Sequence, residues 1–216
     1  MNSICDLCQQ RSCKQAGATD FPTDCPSCQD FQKDAREAYK PGGPDHELAR
    51  AASITIKYGY GKLTRVEETM VFAHEMGFQK IGVAFCTSLE REARTFCQVL
   101  RDNGFMPVTV MCKNGAVPID TLEEPYLDTL ASGMCSSICN PVGQALTLNA
   151  EHTELNVVLG LCVGHDALFI KHSEAPVTYL GVKDRVTGHH PLTPLYLHEG
   201  LFKRIHHVIF RDENRS

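Results

Sequence analysis

A small doubly wound α/β domain, with a mostly parallel sheet of about four strands, is the fold class the sequence predicts. Short apolar runs alternate with stretches of helical periodicity, the order that calls for a parallel sheet with right-handed crossovers. The run Val157-Val158-Leu159-Gly160-Leu161 is apolar at every position, as a strand covered on both faces must be. A third feature lies upstream, where Cys5, Cys8, Cys13, Cys25 and Cys28 crowd together before the turn-forming string Pro41-Gly42-Gly43-Pro44. The predicted organisation is therefore a cysteine-rich metal-binding module over 1–40, then an α/β domain over 45–216 that opens with two helices.

Each element has its own signal. Glu47 to Tyr58 reads as a helix, and Thr64-x-x-Glu67 is a capping-box start for a second, with Val66, Met70 and Ala73 on one face. Lys80 to Cys86 is a strand-type apolar run. Thr87-x-x-Glu90 then begins a helix carrying Leu89, Ala93, Phe96, Cys97 and Leu100, which Gly104 ends. Met106 to Cys112 is the second strand, and Asn140-Pro141 opens a helix to about Asn149. Leu155 to Cys162 is the third strand, Gly164 to His172 a short helix, and Val177 to Val182 the fourth strand.

Composition narrows the function. With 43% of its 216 residues apolar and 22% charged, the chain fills a hydrophobic core, and its net charge of −5 leaves no basic footprint for nucleic acid. No apolar stretch nears the ~20 residues of a membrane span, and the first residues lack the basic and apolar regions of a signal peptide. A cytoplasmic protein is expected. In a reducing compartment eleven cysteines point to metal ligation or catalysis rather than disulfides.

The thiols fall into two sets. Cys5-x2-Cys8 and Cys25-x2-Cys28 are two knuckles separated by 16 residues, the spacing of a four-cysteine zinc site. Cys13 is a fifth thiol, and spacing chooses neither the set of four nor between zinc and an iron–sulfur cluster. The second set is formed by topology. Cys86, Cys112 and Cys162 each end a predicted strand, and Cys139 precedes the helix at Asn140-Pro141, so all four face the carboxyl edge of the sheet, where doubly wound folds bind ligands. In a strand order 2-1-3-4 the thiol of Cys86 is central. Cys135, four residues before Cys139, is a substitute at that corner, whereas Cys97 belongs to a helix's core face. The open N–H groups at the start of the 141–149 helix are expected to point at this edge and favour negative charge. His165 and Asp166 follow the third strand and Asp184 the fourth, which makes them the candidates for proton transfer. His206 and His207 read as surface.

The strings Cys139-Asn140-Pro141-Val142-Gly143-Gln144-Ala145, Gly160-Leu161-Cys162-Val163-Gly164-His165-Asp166 and Lys183-Asp184-Arg185-Val186-x-Gly188-His189 resemble those of a family of uncharacterised prokaryotic proteins. That family carries a domain of unknown function and is often labelled metal-binding. The resemblance covers nearly the whole chain. It implies a metal-binding protein and attaches no reaction. His190 stands where the family's Gly-His-Asn-Pro string has Asn.

The leading expectation is an iron–sulfur protein of the 4Fe–4S type. Cys86, Cys139 and Cys162 hold the cluster, Cys112 is a fourth ligand or reactive thiol, and the centre acts on a small molecule by sulfur transfer or removal, or by redox. A lyase, a desulfidase or an oxidoreductase fits. The alternatives are a non-catalytic zinc-binding or metal-delivery protein, whose N-terminal module contacts a protein partner, and an electron-transfer protein. A hydrolase built on Cys162 with His165 lacks an orienting third group, and no glycine-rich nucleotide loop follows the strands.

Overall fold

The computed structural model describes residues 5–123 and 136–207. The chain divides into two compact units, Met1–Lys62 and Leu63–Ser216. The first unit has short 3-10 turns at Cys5–Leu7, Ser12–Lys14 and Pro26–Cys28, followed by α1 (Phe31–Tyr39) and α2 (His46–Gly59). The Pro41–Pro44 string makes the turn between α1 and α2, where His46 Nδ1 lies 2.8 Å from the Tyr39 carbonyl. Burial in this unit is slight. Among its described residues only Ala51, Thr55 and Gly59, spaced four apart on α2, are buried.

The second unit is the α/β domain. Its four-stranded sheet contains β1 (Lys80–Phe85), β2 (Met106–Met111), β3 (Leu155–Leu159) and β4 (Val177–Gly181), all parallel in the order β2-β1-β3-β4. The helices are α3 (Arg65–Glu75), α4 (Glu90–Asp102), α5 (Pro141–Ala150), α6 (His165–His172) and the four-residue α7 (Thr193–Tyr196). Thr64 and Glu67 form the expected capping box on α3, each side chain bonding the other's backbone. The Thr87-x-x-Glu90 box does not form. Thr87–Leu89 is a 3-10 turn and α4 begins at Glu90, because the chain must turn off the end of β1 before it can run antiparallel to it.

Alternation along the strands sorts the core into two layers. Ile81, Val83, Leu155 and Val157 face Ala73, Phe96 and Leu100 of α3 and α4. Ala84, Val110 and Val158 face Ala145, Leu148 and Phe169 of α5 and α6. Helices therefore cover both faces, and the period of two places Cys86 and Cys112 in the second layer. Gly82 in central β1 is a steric requirement, since a Cβ there would lie 2.0 Å from Asn156 Oδ1. That buried amide is satisfied by Thr153 Oγ1, which donates to Oδ1 at 2.7 Å, and by its own donation to Ser173 Oγ at 2.8 Å.

Candidate metal centre

The carboxyl edge of the sheet takes shape where β1 stops. Cys86 N–H donates to the Leu159 carbonyl and Cys112 N–H to the Phe85 carbonyl, so the ladder continues one residue past β1 and β2 and sets both cysteines side by side. Asn140 N–H then donates to the Cys112 carbonyl at 2.7 Å, which brings Cys139 to the same corner. Gln144 reaches back from α5: its Nε2 donates to the carbonyls of Phe85 at 3.2 Å and Val110 at 2.8 Å, tying β1 to β2 beneath the thiols. Gln144 Oε1 is buried with no hydrogen-bond partner among the described residues, an acceptor in reserve next to those strand ends.

Cys162 arrives by a different route. β3 ends at Leu159, three residues earlier than the apolar run suggests, because Gly160 adopts φ +67°, outside the strand region. A Cβ on Gly160 would lie 2.2 Å from Leu89 Cδ1 and 3.6 Å from Lys183 Cε. The chain passes Leu161 into the core layer and presents Cys162, half-buried, ahead of α6.

The thiol of Cys112 is in contact with those of Cys86 and Cys139, and Cys162 lies near enough to Cys139 for their charges to interact. Contact with the Cys112 thiol, reinforced by burial, pushes the Cys86 thiol up to about 12. Cys112 is also raised, first by its contact with Cys139. Cys139 goes the other way. The Cys112 thiol donating to it lowers it to about 7, with help from the Lys113 ammonium and against burial and the charges of Cys162 and Cys86. Cationic and hydroxyl groups surround the thiols. Arg185 Nη2 donates to Cys162 Sγ at 3.5 Å, and the guanidinium also feels Cys86 and Cys139. Thr87 N–H donates to Cys112 Sγ at 3.4 Å, and Ser88 Oγ lies 3.4 Å from Cys86 Sγ. The Lys183 ammonium donates to that same Ser88 hydroxyl.

This donor set suits a thiolate-bound centre in its chemistry, because buried anions need compensating charge and Lys113 and Arg185 supply it. Among the described residues no group of three or more His, Cys, Asp or Glu is placed so that it could hold a metal ion. The helix-terminus contribution is smaller than the sequence suggests. Pro141, the first residue of α5, has no N–H, and the Gly143 N–H is capped by Asn140 Oδ1 at 2.8 Å. Of the first three residues of α5 only Val142 keeps an N–H for a ligand.

The candidate acids are engaged with backbone. Asp166 Oδ1 accepts from the N–H groups of Gly164 at 3.0 Å and Ala167 at 2.8 Å, which makes it a brace for the start of α6. Asp184 Oδ1 accepts from the N–H groups of Val186 at 2.9 Å and Thr187 at 3.1 Å, and its carboxyl is held below the usual range first by a hydrogen bond from the Thr187 side chain and then by those backbone bonds. His165 opens α6 three residues after Cys162. His206 is exposed, as expected, and pairs with His198, Nε2 to Nδ1, at 3.0 Å. Cys97 is buried in the α4 core layer, and Cys135 lies outside the described residues. Ser88 and Gln144 were not legible as site residues, although an amide within the apolar face of a helix is a signal for Gln144.

In the first unit Cys5, Cys8 and Cys25 line one open cavity of about 380 Å³, together with Pro22, Asp24 and Pro26. Cys28 Sγ donates to the Pro22 carbonyl at 3.8 Å, while Cys13 lies on a separate turn, Ser12–Lys14. No disulfide joins the described cysteines.

Residues 25–180 match the model of a family described as "Protein of unknown function (DUF1847)". The chain is also similar to the uncharacterized protein MJ0455 of Methanocaldococcus jannaschii, with 40% identity over 146 residues, 68% of this chain and 73% of that protein. No solved structure matches. No helix among the described residues is long and apolar enough to cross a membrane.

Proposed function

We infer the function of this chain, which belongs to the DUF1847 family, from its own thiols, because the family description attaches no reaction. The reading is an iron–sulfur protein whose cluster is held by Cys86, Cys139 and Cys162 at the carboxyl edge of the sheet, with Cys112 as fourth ligand or reactive thiol. One observation carries it: the thiols of Cys86, Cys112 and Cys139 adjoin at the strand ends, with Cys162 close by and with Lys113 and Arg185 beside them. Four thiolates are the ligand set of an iron–sulfur cluster as well as of zinc. Such a cluster, when bound, supplies electron transfer or an open iron position for a sulfur or oxygen atom of a small molecule.

The chain's own residues do the rest. Gln144 fixes the spacing of the β1 and β2 ends. Lys113 and Arg185 offset thiolate charge, and Cys139, with its lowered pKa, releases its proton readily to solvent when a soft metal binds. His165 is the proton-transfer candidate with the most freedom, since the Asp166 and Asp184 carboxylates are committed to backbone N–H groups.

A second metal is favoured in the first unit by the shared cavity of Cys5, Cys8 and Cys25 and by the scarcity of buried apolar side chains there. Metal ligation would supply the folding energy that this unit's core does not. A protein contact through that unit is compatible with this role.

Anaerobic purification followed by absorbance and electron paramagnetic resonance tests the reading. A brown protein whose chromophore is lost in Cys139→Ser and Cys162→Ser is expected. A colourless protein that contains only zinc, unchanged in metal content by those substitutions, identifies a non-catalytic zinc protein instead.

A further inference from the structure

We propose that the thiol rim takes a compact oxyanion as its small-molecule ligand, held by Arg185 and Lys183. The location of the reacting centre beside it rests on the thiol-centre reading above; the anion site itself rests on the cations.

Lys183 is 8% exposed. Its stem runs past Gly160, and its ammonium ends on the neutral Ser88 hydroxyl. A cation so far withdrawn from water ordinarily sits on a carboxylate. Among the described residues neither Lys183 nor Arg185 has one within 4.0 Å. The acids close in sequence are turned elsewhere: Asp184, between the two cations, serves Val186 and Thr187, and Asp166 serves its own helix start. The rim is thus cationic on a chain whose net charge is −5, so its charge reflects placement rather than composition.

The two cations are complementary in kind. Lys183 is a compact point charge on a buried stem, with Ser88 as a second polar contact at its tip. Arg185 is exposed and makes one long bond to Cys162, which leaves most of its planar fork of donors for two oxygens of one anion. An oxyanion held by that fork would lie against Cys162, the half-buried thiol that Arg185 already bonds.

The test is titration of sulfate, and separately of acetate, into the anaerobically purified protein at fixed ionic strength, following the Arg185 Nε–Hε signal by NMR. Iron per chain is measured on the same samples. Sulfate should give a saturable shift, weaker for acetate if the site prefers a tetrahedral anion. Arg185→Gln should weaken binding about ten-fold or more, the size of one charge-assisted hydrogen bond, and Lys183→Gln should do likewise. Arg185 is on the surface, so its substitution leaves folding intact even where Lys183→Gln does not. A shift that never saturates, or sulfate binding equal in wild type and Arg185→Gln, overturns the proposal. Saturable binding in wild type that contains no iron removes the cluster and keeps the anion site, whereas binding only when iron is absent shows that the cations serve the cluster alone and overturns the proposal.

Discussion

The backbone N–H of Asn140 donates to the carbonyl of Cys112 at 2.7 Å. That bond sets Cys139, from the approach to a helix, beside a cysteine at the end of an edge strand. The same asparagine caps α5 through Gly143 at 2.8 Å and reaches the Asn114 carbonyl at 3.3 Å. Asn140→Ala should therefore lower unfolding stability by about 1–2 kcal/mol in urea titrations, the range for loss of an N-cap. It should also reduce the iron retained per chain. Unchanged stability would remove the corner's anchor.

The neighbouring thiols make Cys139 the reactive one. In metal-free, reduced protein its alkylation by iodoacetamide should rise with a midpoint near pH 7, where its thiol lies at about 7 instead of the ordinary 9.0. Cys112→Ala removes the donor that is the main cause, so the midpoint should move up toward the ordinary value. Mass spectrometry of the labelled peptides follows both, and an unmoved midpoint contradicts the thiol contact.

Stability of the metal-free chain should follow those shifts with opposite signs in two windows. Between about pH 7 and 9 the unfolded chain holds the Cys139 proton that the native state has released, so stability rises with pH, and this contribution is lost as pH falls through 7. Between about 9 and 12 the native state keeps the Cys86 proton that the unfolded chain has released, so stability falls as pH rises. Urea midpoints across this range should peak near pH 9 when this pair dominates, and Cys139→Ser should flatten the lower limb.

Gly160 links fold to site. Gly160→Ala meets both a positive φ of +67° and a contact of 2.2 Å with Leu89 Cδ1, for a cost of about 1–3 kcal/mol. Because the Lys183 stem passes the same point, sulfate affinity should fall together with stability. Loss of neither would mean that the turn is more tolerant than its packing suggests.

Much of this was written in the sequence. Periodicity and turn residues marked the four strands, because central strands buried on both faces leave unbroken apolar runs, as in Val157-Val158-Leu159, while the order 2-1-3-4 entered as a condition that the sheet meets. Local steric choices were less visible. The apolar pattern continues through Gly160 and Leu161, but the positive φ of Gly160 turns the chain out of the sheet, so Cys162 approaches the rim from a loop. Thr87 and Glu90 carry a capping-box pattern that the turn off β1 overrides. The roles of Ser88, Gln144 and Lys183 arise from contacts 34 or more residues apart, or across the end of a strand, which no local pattern records.

Iron and acid-labile sulfide counted per chain in oxygen-free protein, beside the same count for Cys86→Ser, Cys139→Ser and Cys162→Ser, tests the thiol rim most directly. Equal, stoichiometric iron and sulfide in the wild type, falling together in all three variants while the N-terminal metal is retained, is the predicted result. Iron and sulfide absent from the wild type, or indifferent to all three substitutions, would contradict it.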